Sequence, residues 1–513
     1  MGKREKRPAS NSILRIVFVG ISVIVQIGWI LLMAYELNRY STYIYIATYI
    51  LALLVVVRLY SRPTSSAMKL PWIMLLLAFP VMGLSLYLLI GLFSDLGRAG
   101  KRLRAARKMT RTVLPGDESL LRELRARDPS AANISRYLTR YAHAPLYAAT
   151  RTTYHSQASE AFTQLKQDLR AAEKYIYMEY FIIEDGEAFW QIRDILAERA
   201  AAGVDVRVMY DDVGSIGYAS FRFARSLQKL GIQCRIFDPV LPVMNFFMNN
   251  RDHRKLTVID GTVGYTGGYN LANEYFDITH PYGKWKDTGV RLEGDAVRSL
   301  TLSFLEMWSI SGLPEAVPAL KLEHARPPED AEGFVQPYSD SPLDRERVAE
   351  SVYLDLIAAA KESLWIITPY LIVSDELSSA LTLAAKRGVD VRIVTPGIPD
   401  KKIVYQITRS YYGALTSQGV RIFEYVPGFC HAKQCLCDGT MASIGTSNLD
   451  YRSLYHHFEN DVFLFGGPAV SRMKEDFEAT FSQCAEVTGR YSTGRNGSLR
   501  IWQCILRLLA PLM

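Results

Sequence analysis

Two segments carry the reading: residues 253–270, HRKLTVIDGTVGYTGGYN, and residues 431–448, HAKQCLCDGTMASIGTSN. Each holds a His-x-Lys pair, then an Asp, then a glycine turn that closes on Asn. In the first these are His253, Lys255, Asp260, Gly267 and Asn270; in the second, His431, Lys433, Asp438, Gly445 and Asn448. The sets lie 178 residues apart at both ends (431 − 253 and 448 − 270). A lone His on an apolar strand is more often a hydrogen-bonded core residue than a catalyst. Matched positions at one spacing, twice, reverse that reading and point to a shared site.

Residues i and i+2 of a strand point to the same side, so each His-x-Lys pair can face one pocket. The glycine turn lets backbone and amide approach a ligand closely. Two His, two Lys and two Asn converging across a pseudo-two-fold would cradle a tetrahedral phosphoryl anion, cations and amides neutralising charge as it develops. One imidazole can then attack phosphorus while the other protonates the departing oxygen. The lysines supply the positive charge, so neither metal nor cofactor is expected.

Working outward, the surrounding chain is duplicated as well. The run KYIYMEYFII (174–183) reads as a strand, 188–202 as an Ala-rich helix, and GVDVRVMYDD from Gly203 as a second strand. The order returns with LWIITPYLIV (364–373), a helix over 376–387 and GVDVRIVTPG from Gly388. Strand–helix alternation predicts parallel sheets covered by helices. The expected organisation is an N-terminal transmembrane region (1–97), a basic linker (98–144), one half (145–320), a Pro- and Glu-rich linker (321–345), a second half (346–490) and an amphipathic tail (491–513).

The paired pattern resembles the HKD motif of the phospholipase D superfamily, and more closely the bacterial cardiolipin synthases. The closer match rests on GGYNLANEY (267–275), KWKDTGVRLEGDAV (284–297), GTSNLDYRS (445–453) and FEND (458–461), with PWIMLLLAFPVMGLSLYLLIG (71–91) and the tail SLRIWQCILRLLAPLM. It covers nearly the whole chain. Gly268 and Thr446 depart from the Ser frequent in the wider superfamily. The resemblance implies an α/β fold of two tandem phospholipase D-type αβα sandwich halves in pseudo-two-fold arrangement, preceded by transmembrane helices. It implies phosphatidyl transfer between two phosphatidylglycerol molecules through a phosphohistidine, with His253 as nucleophile and His431 as general acid and base. Lys255, Lys433, Asn270 and Asn448 would hold phosphate oxygens, Asp260 and Asp438 would support the motif, and Glu274 and Glu459 would orient the histidines. A hydrolytic phospholipase D, a membrane-tethered nuclease and a non-catalytic lipid-binding scaffold are the rival readings. Three apolar segments argue against nucleic acid as a partner, and ionisable positions intact in both motifs argue against a scaffold.

Those segments span 16–34, 43–57 and 70–93. The first and third reach the ~20 residues needed to cross a bilayer as a helix; the second does so only if Leu59 and Tyr60 are included and Arg58 snorkels. Tyr40, Tyr43, Tyr45 and Tyr49 suit an interfacial belt. The third contains Pro80 and Gly83 and could be re-entrant. The expectation is a multi-pass cell-membrane protein whose catalytic part faces the cytoplasm, on the side of the basic N-terminus and of the block from Arg98 to Lys108. Anionic lipids are the expected partners; the oligomeric state is left open. Apolar 239–248 before the first motif would dip into the bilayer, line an acyl channel or pack in the core. The cysteines at 234, 430, 435, 437, 484 and 504 form no paired framework and no zinc knuckle, and Gln434–Cys437 reads as a buried strand.

Overall fold

The computed structural model describes residues 21, 23–31, 41–62, 64–88, 97–110, 114, 116–219, 221–239, 250–311, 328–344, 346–492 and 497–512. The N-terminal basic cluster, residues 16–20, 22 and 32–34 of the first apolar segment and residues 240–248 of the apolar loop lie outside them.

Each half is built on a mixed sheet. The first contains β1 (Thr150–His155), β2 (Tyr175–Tyr180), β3 (Asp205–Asp211), β4 (Gln233–Phe237), β5 (Lys255–Ile259), β6 (Val263–Gly267) and β7 (Gly289–Gly294), in the order 1-7-6-5-2-3-4. The second contains β8 (Phe334–Asp340), β9 (Ser363–Ile367), β10 (Asp390–Pro396), β11 (Arg421–Tyr425), β12 (Gln434–Cys437), β13 (Met441–Gly445), β14 (Glu459–Phe465) and β15 (Cys484–Glu486), in the order 15-11-10-9-12-13-14-8. Apart from β15 the topologies coincide. The expectation of parallel sheets holds only for β2-β3-β4 and β9-β10-β11; the remaining pairs are antiparallel. The reason is local: each motif folds as a hairpin, and a tight turn can only reverse the chain. Because β5 runs against β2, its first residue Lys255 pairs with Tyr180 at the end of β2. The histidine just before β5 therefore sits at the carboxyl edge of the parallel strands, where open α/β sheets bind ligands.

Two expected linkers are corrected. Residues 321–345 include β8, which pairs along its length with β14. As an edge strand it tolerates Pro337 and so does not read as a central strand. Residues 98–144 contain the helices Gly97–Thr110, Glu118–Arg127 and Pro129–Tyr137. Leu124, Ala131, Ile134 and Leu138 from this segment are buried against Phe334, Val348 and Val352 of the second half. The basic block is likewise partly committed to protein contacts. Leu103 and Ala106 are buried, Arg102 donates to the Ile310 carbonyl at 3.2 Å, and Arg107 pairs with Glu306 at 3.6 Å. Lys101 and Arg104 remain exposed.

One apolar core runs through the centre of the molecule, with Val290 and Leu292 of β7 in the same cluster as Val462 and Leu464 of β14. Burying such side chains contributes about 1.5–3 kcal/mol each, so the halves are fused by their cores rather than tethered. Polar cross-links sit inside this interface: Asn460 Nδ2 donates to Thr266 Oγ1 at 2.7 Å and Thr288 Oγ1 to Gln434 Oε1 at 2.9 Å.

The second apolar segment is helical over Ser41–Tyr60, 20 residues with Leu59 and Tyr60 included. Among the described residues it is the one helix long and apolar enough to cross a membrane. The third segment breaks into Ser66–Ala78 and Pro80–Leu86 at Phe79. Gly83 permits the tight fold-back, since a Cβ there would lie 2.8 Å from the Leu76 Cα. Residues 23–31 of the first segment are helical. The tail forms the helix Gly497–Leu509. Its Leu506 packs with Ile407, Tyr451 and Met68, while Ile501, Trp502 and Ile505 face outward.

Candidate active site

Each motif strand ends in a sharp turn that its Asp makes. Asp260-Gly261 and Asp438-Gly439 all adopt positive φ (53°, 71°, 50° and 66°). Asp-Gly is the pair that tolerates two left-handed residues in a hairpin turn. The Asp260 carboxylate accepts the backbone N–H groups of Glu173, Lys174 and Tyr175 at 2.7–2.8 Å. Asp438 does the same for Lys361, Glu362 and Ser363 at 2.8–2.9 Å. Both aspartates thus anchor the starts of β2 and β9, at the opposite end of the strand from the histidine.

At that other end the halves interlock. The His253 N–H donates to the Phe458 carbonyl at 3.0 Å, and the His431 N–H to the Lys286 carbonyl at 2.7 Å. This backbone exchange carries each half's carboxylate to the other half's imidazole. His253 Nδ1 lies 2.9 Å from both carboxylate oxygens of Glu459, and His431 Nδ1 lies 2.6 Å from Asp287 Oδ2. A carboxylate at Nδ1 selects the tautomer with Nε2 unprotonated, its lone pair available to attack or to take a proton. Burial, then Lys255, His457 and Lys433, holds His253 well below the usual imidazole range. Burial and Lys433 pull His431 down to about 4 despite Asp287. Both rings are therefore neutral at pH 7. Lys255 Nζ donates to the His253 carbonyl at 2.5 Å, and Lys433 Nζ lies 2.9 Å from His431 Nε2. Burial lowers Lys255 to about 7 and Lys433 to about 8, the facing carboxylates opposing the shift.

The two asparagines are used differently. Asn270 Oδ1 accepts the Ile182 N–H at 3.0 Å, and its Nδ2 donates to the Tyr275 hydroxyl at 2.8 Å. Asn448 is buried, and its Oδ1 has no hydrogen-bond partner among the described residues. Glu274 does not reach a histidine; it lies beside Glu184 and Tyr218, and burial raises its pKa. The position expected for it belongs to Asp287. Glu274 follows its Asn by four residues, whereas Glu459 follows by eleven, so the spacing offered no true parallel. The usable signal was the step into the last strand, Asp287-Thr288-Gly289-Val290 against Glu459-Asn460-Asp461-Val462.

Gly268 and Thr446 now have physical reasons. A Cβ at Gly268 would lie 2.0 Å from Asp287 Oδ1, so only glycine admits that carboxylate. The Thr446 hydroxyl donates to Glu459 Oε2 at 2.5 Å and holds the other carboxylate in place. His457, Asp287 and the role of Thr446 all escaped the sequence reading. His253, His457 and Glu459 offer ligand atoms within 4.8 Å of one another. Lys255 and Lys433 put positive charge against the same imidazole, which disfavours a dication there.

The fold and paired motifs define a two-halved phospholipase D-like protein. A family model described as cardiolipin synthase, PLD-like domain, matches residues 165–297 and 353–481, and one described as Phospholipase_D-nuclease N-terminal matches 47–91. A cardiolipin synthase of Halalkalibacterium halodurans is 34% identical over 446 residues, 86% of this chain and 88% of that protein. An uncharacterised protein of Streptococcus mutans is 40% identical over 447 residues, 86% of this chain and 96% of its own length. Phosphatidylserine synthase of Haemophilus influenzae shares the fold, with a TM-score of 0.56, 14% identity, and coverage of 74% of this chain and 99% of that one. The chain belongs to the cardiolipin synthase family of phospholipase D-like proteins, and is an enzyme of the phosphatidyltransferase type.

Proposed function

We propose that this protein moves a phosphatidyl group from one phosphatidylglycerol to another, giving cardiolipin and glycerol. The single observation that carries the reading is the reciprocal pairing of His253 with Glu459 and His431 with Asp287, which makes one site out of two halves. In the first step His253 Nε2 attacks phosphorus and the glycerol oxygen leaves, taking a proton from His431. That proton must be gained on substrate binding, because His431 is neutral in the free enzyme; the phosphate's negative charge favours this. Lys255 and Lys433 neutralise the non-bridging oxygens. In the second step His431 takes the proton of the acceptor's hydroxyl, that oxygen attacks phosphorus, and the bond to His253 breaks. Asn448 offers substrate its unpartnered Oδ1, an acceptor suited to a glycerol hydroxyl rather than to a phosphate oxygen, whereas Asn270 is already engaged at both ends. Asp260 and Asp438 act through the turns.

The same reading holds the protein in the cell membrane by more than one crossing, with the catalytic part on the cytoplasmic side. Support comes from the exposed apolar helix Ser41–Tyr60, the exposed Lys101 and Arg104, and the outward Trp502 and Ile505 of the tail. Purified protein in phosphatidylglycerol vesicles tests the chemistry. Cardiolipin with free glycerol supports transfer, and phosphatidic acid with glycerol would make water the acceptor. Sidedness is tested by protease access to residues 150–490 in sealed inside-out and right-side-out vesicles.

A further inference from the structure

Beside the reacting histidines the halves also differ two residues before each carboxylate. Trp285 stands two residues before Asp287 and its ring centroid lies 5.5 Å from that of His431. The matching place before Glu459 is taken by His457, with its ring 5.3 Å from that of His253. His457 is buried, and neither of its ring nitrogens has a hydrogen-bond partner among the described residues. Its Nδ1 lies 3.7 Å from Glu459 Oε1, too far for a hydrogen bond. Burial and Arg452 hold it well below the usual imidazole range, so it carries one N–H and one lone pair. A buried polar ring with both nitrogens unmet is costly unless a ligand completes it. The ring also lines a cleft of about 310 Å³ bounded by Arg62 and Met68 at the membrane-proximal helices and by Arg347 and Tyr455. His457 thus stands between the catalytic centre and an opening beside the membrane.

We propose that His457 is a third imidazole of the phosphate site, whose ring N–H donates to a non-bridging oxygen of the phosphate while it is attacked by, and then carried on, His253. The proposal rests on the reading of His253 as the nucleophile. Donors on that side would then be Lys255 and His457; on the other, Lys433 and the indole N–H of Trp285, also without a partner among the described residues, stand beside His431. What sets His457 apart is that its ring pairs a donor with an acceptor nitrogen, whereas the Trp285 indole offers a donor alone.

The test compares the full-length wild type with His457→Phe, which keeps a ring without donors, and His457→Gln, which keeps an N–H near the Nε2 position. Binding of inorganic phosphate to the detergent-solubilised protein is measured by calorimetry, and kcat/KM for phosphatidylglycerol is measured in parallel. His457→Phe is expected to lose about tenfold or more in both, the scale of one hydrogen bond to a charged group. His457→Gln is expected to recover most of it. Phosphate affinity equal to wild type in folded His457→Phe overturns the proposal. If that variant does not fold, the ¹⁵N resonances of the His457 ring in the wild type decide: they shift on adding phosphate, or the proposal falls. A wild type that makes no cardiolipin, while phosphate affinity still drops in His457→Phe, overturns the transferase reading and leaves His457 standing.

Discussion

The two halves share a topology and a motif offset, yet their reacting ends are not equivalent. On the first side His253 meets Glu459, a carboxylate gripped by Thr446, with His457 alongside. On the second, His431 meets Asp287, seated against Gly268, with Trp285 and Tyr275 alongside. The lysines, by contrast, are alike, burial lowering both Lys255 and Lys433 well below the ordinary lysine range. The two-step transfer proposed above would require inequality of the kind seen around the histidines, since one imidazole would bond to phosphorus while the other moves protons. Duplication supplies the frame, and a few substitutions at equivalent positions divide the work.

The strongest way to break the comparison is to remove each imidazole. His253→Ala and His431→Ala should each lower cardiolipin formation at least about 10³-fold, since nucleophile and acid–base catalyst are both lost functions rather than weakened ones. Quenched turnover with labelled lipid should leave label on His253 alone; equal labelling of both histidines would make the halves interchangeable. Next come the carboxylates that cross between halves. Glu459→Gln and Asp287→Asn should each cost about 10–100-fold in kcat with KM little changed, as when a hydrogen-bonded orienting group is lost. An effect confined to one of them would show that only one histidine needs orienting.

Acidity sharpens the comparison further. A lysine with a depressed pKa is charged below that value and neutral above it. In the free enzyme the cationic cradle should therefore fade as pH rises through about 7 for Lys255 and about 8 for Lys433. The kcat/KM profile should fall on its alkaline side in that window, and Lys255→Arg should push the limb upward, because guanidinium stays charged. A profile flat from pH 6 to 10 would contradict the buried-lysine cradle. The smallest effect on chemistry belongs to the turn aspartates. Asp260→Ala and Asp438→Ala each strip an acceptor from three backbone N–H groups and should cost about 1–3 kcal/mol of stability. The melting temperature should drop while KM stays put; a KM change without a melting change would move them into the substrate site.

Much of this was legible in the chain because local rules and tertiary demands agree. The 178-residue repeat, the Asp-Gly turns, the buried strand Gln434–Cys437 and the helices Glu187–Ala201 and Asp375–Lys386 follow from periodicity and turn chemistry. β8 was missed because an edge strand carrying Pro337 gives a weak signal. Residues 98–144 read as a linker because their helices are charged on one face, and their apolar positions find partners only in the second half.

What the sequence determined by itself was the set of reactive groups and their pairing into one α/β frame, because the spacing of a motif is a property of the chain. Which carboxylate serves which histidine was decided only by tertiary structure. Glu459 lies 206 residues from His253, and Asp287 lies 144 from His431. No local pattern connects residues so far apart. They meet because the fused core aligns the two sheets, and because the backbone bonds at Phe458 and Lys286 hand each half's acid across to the other.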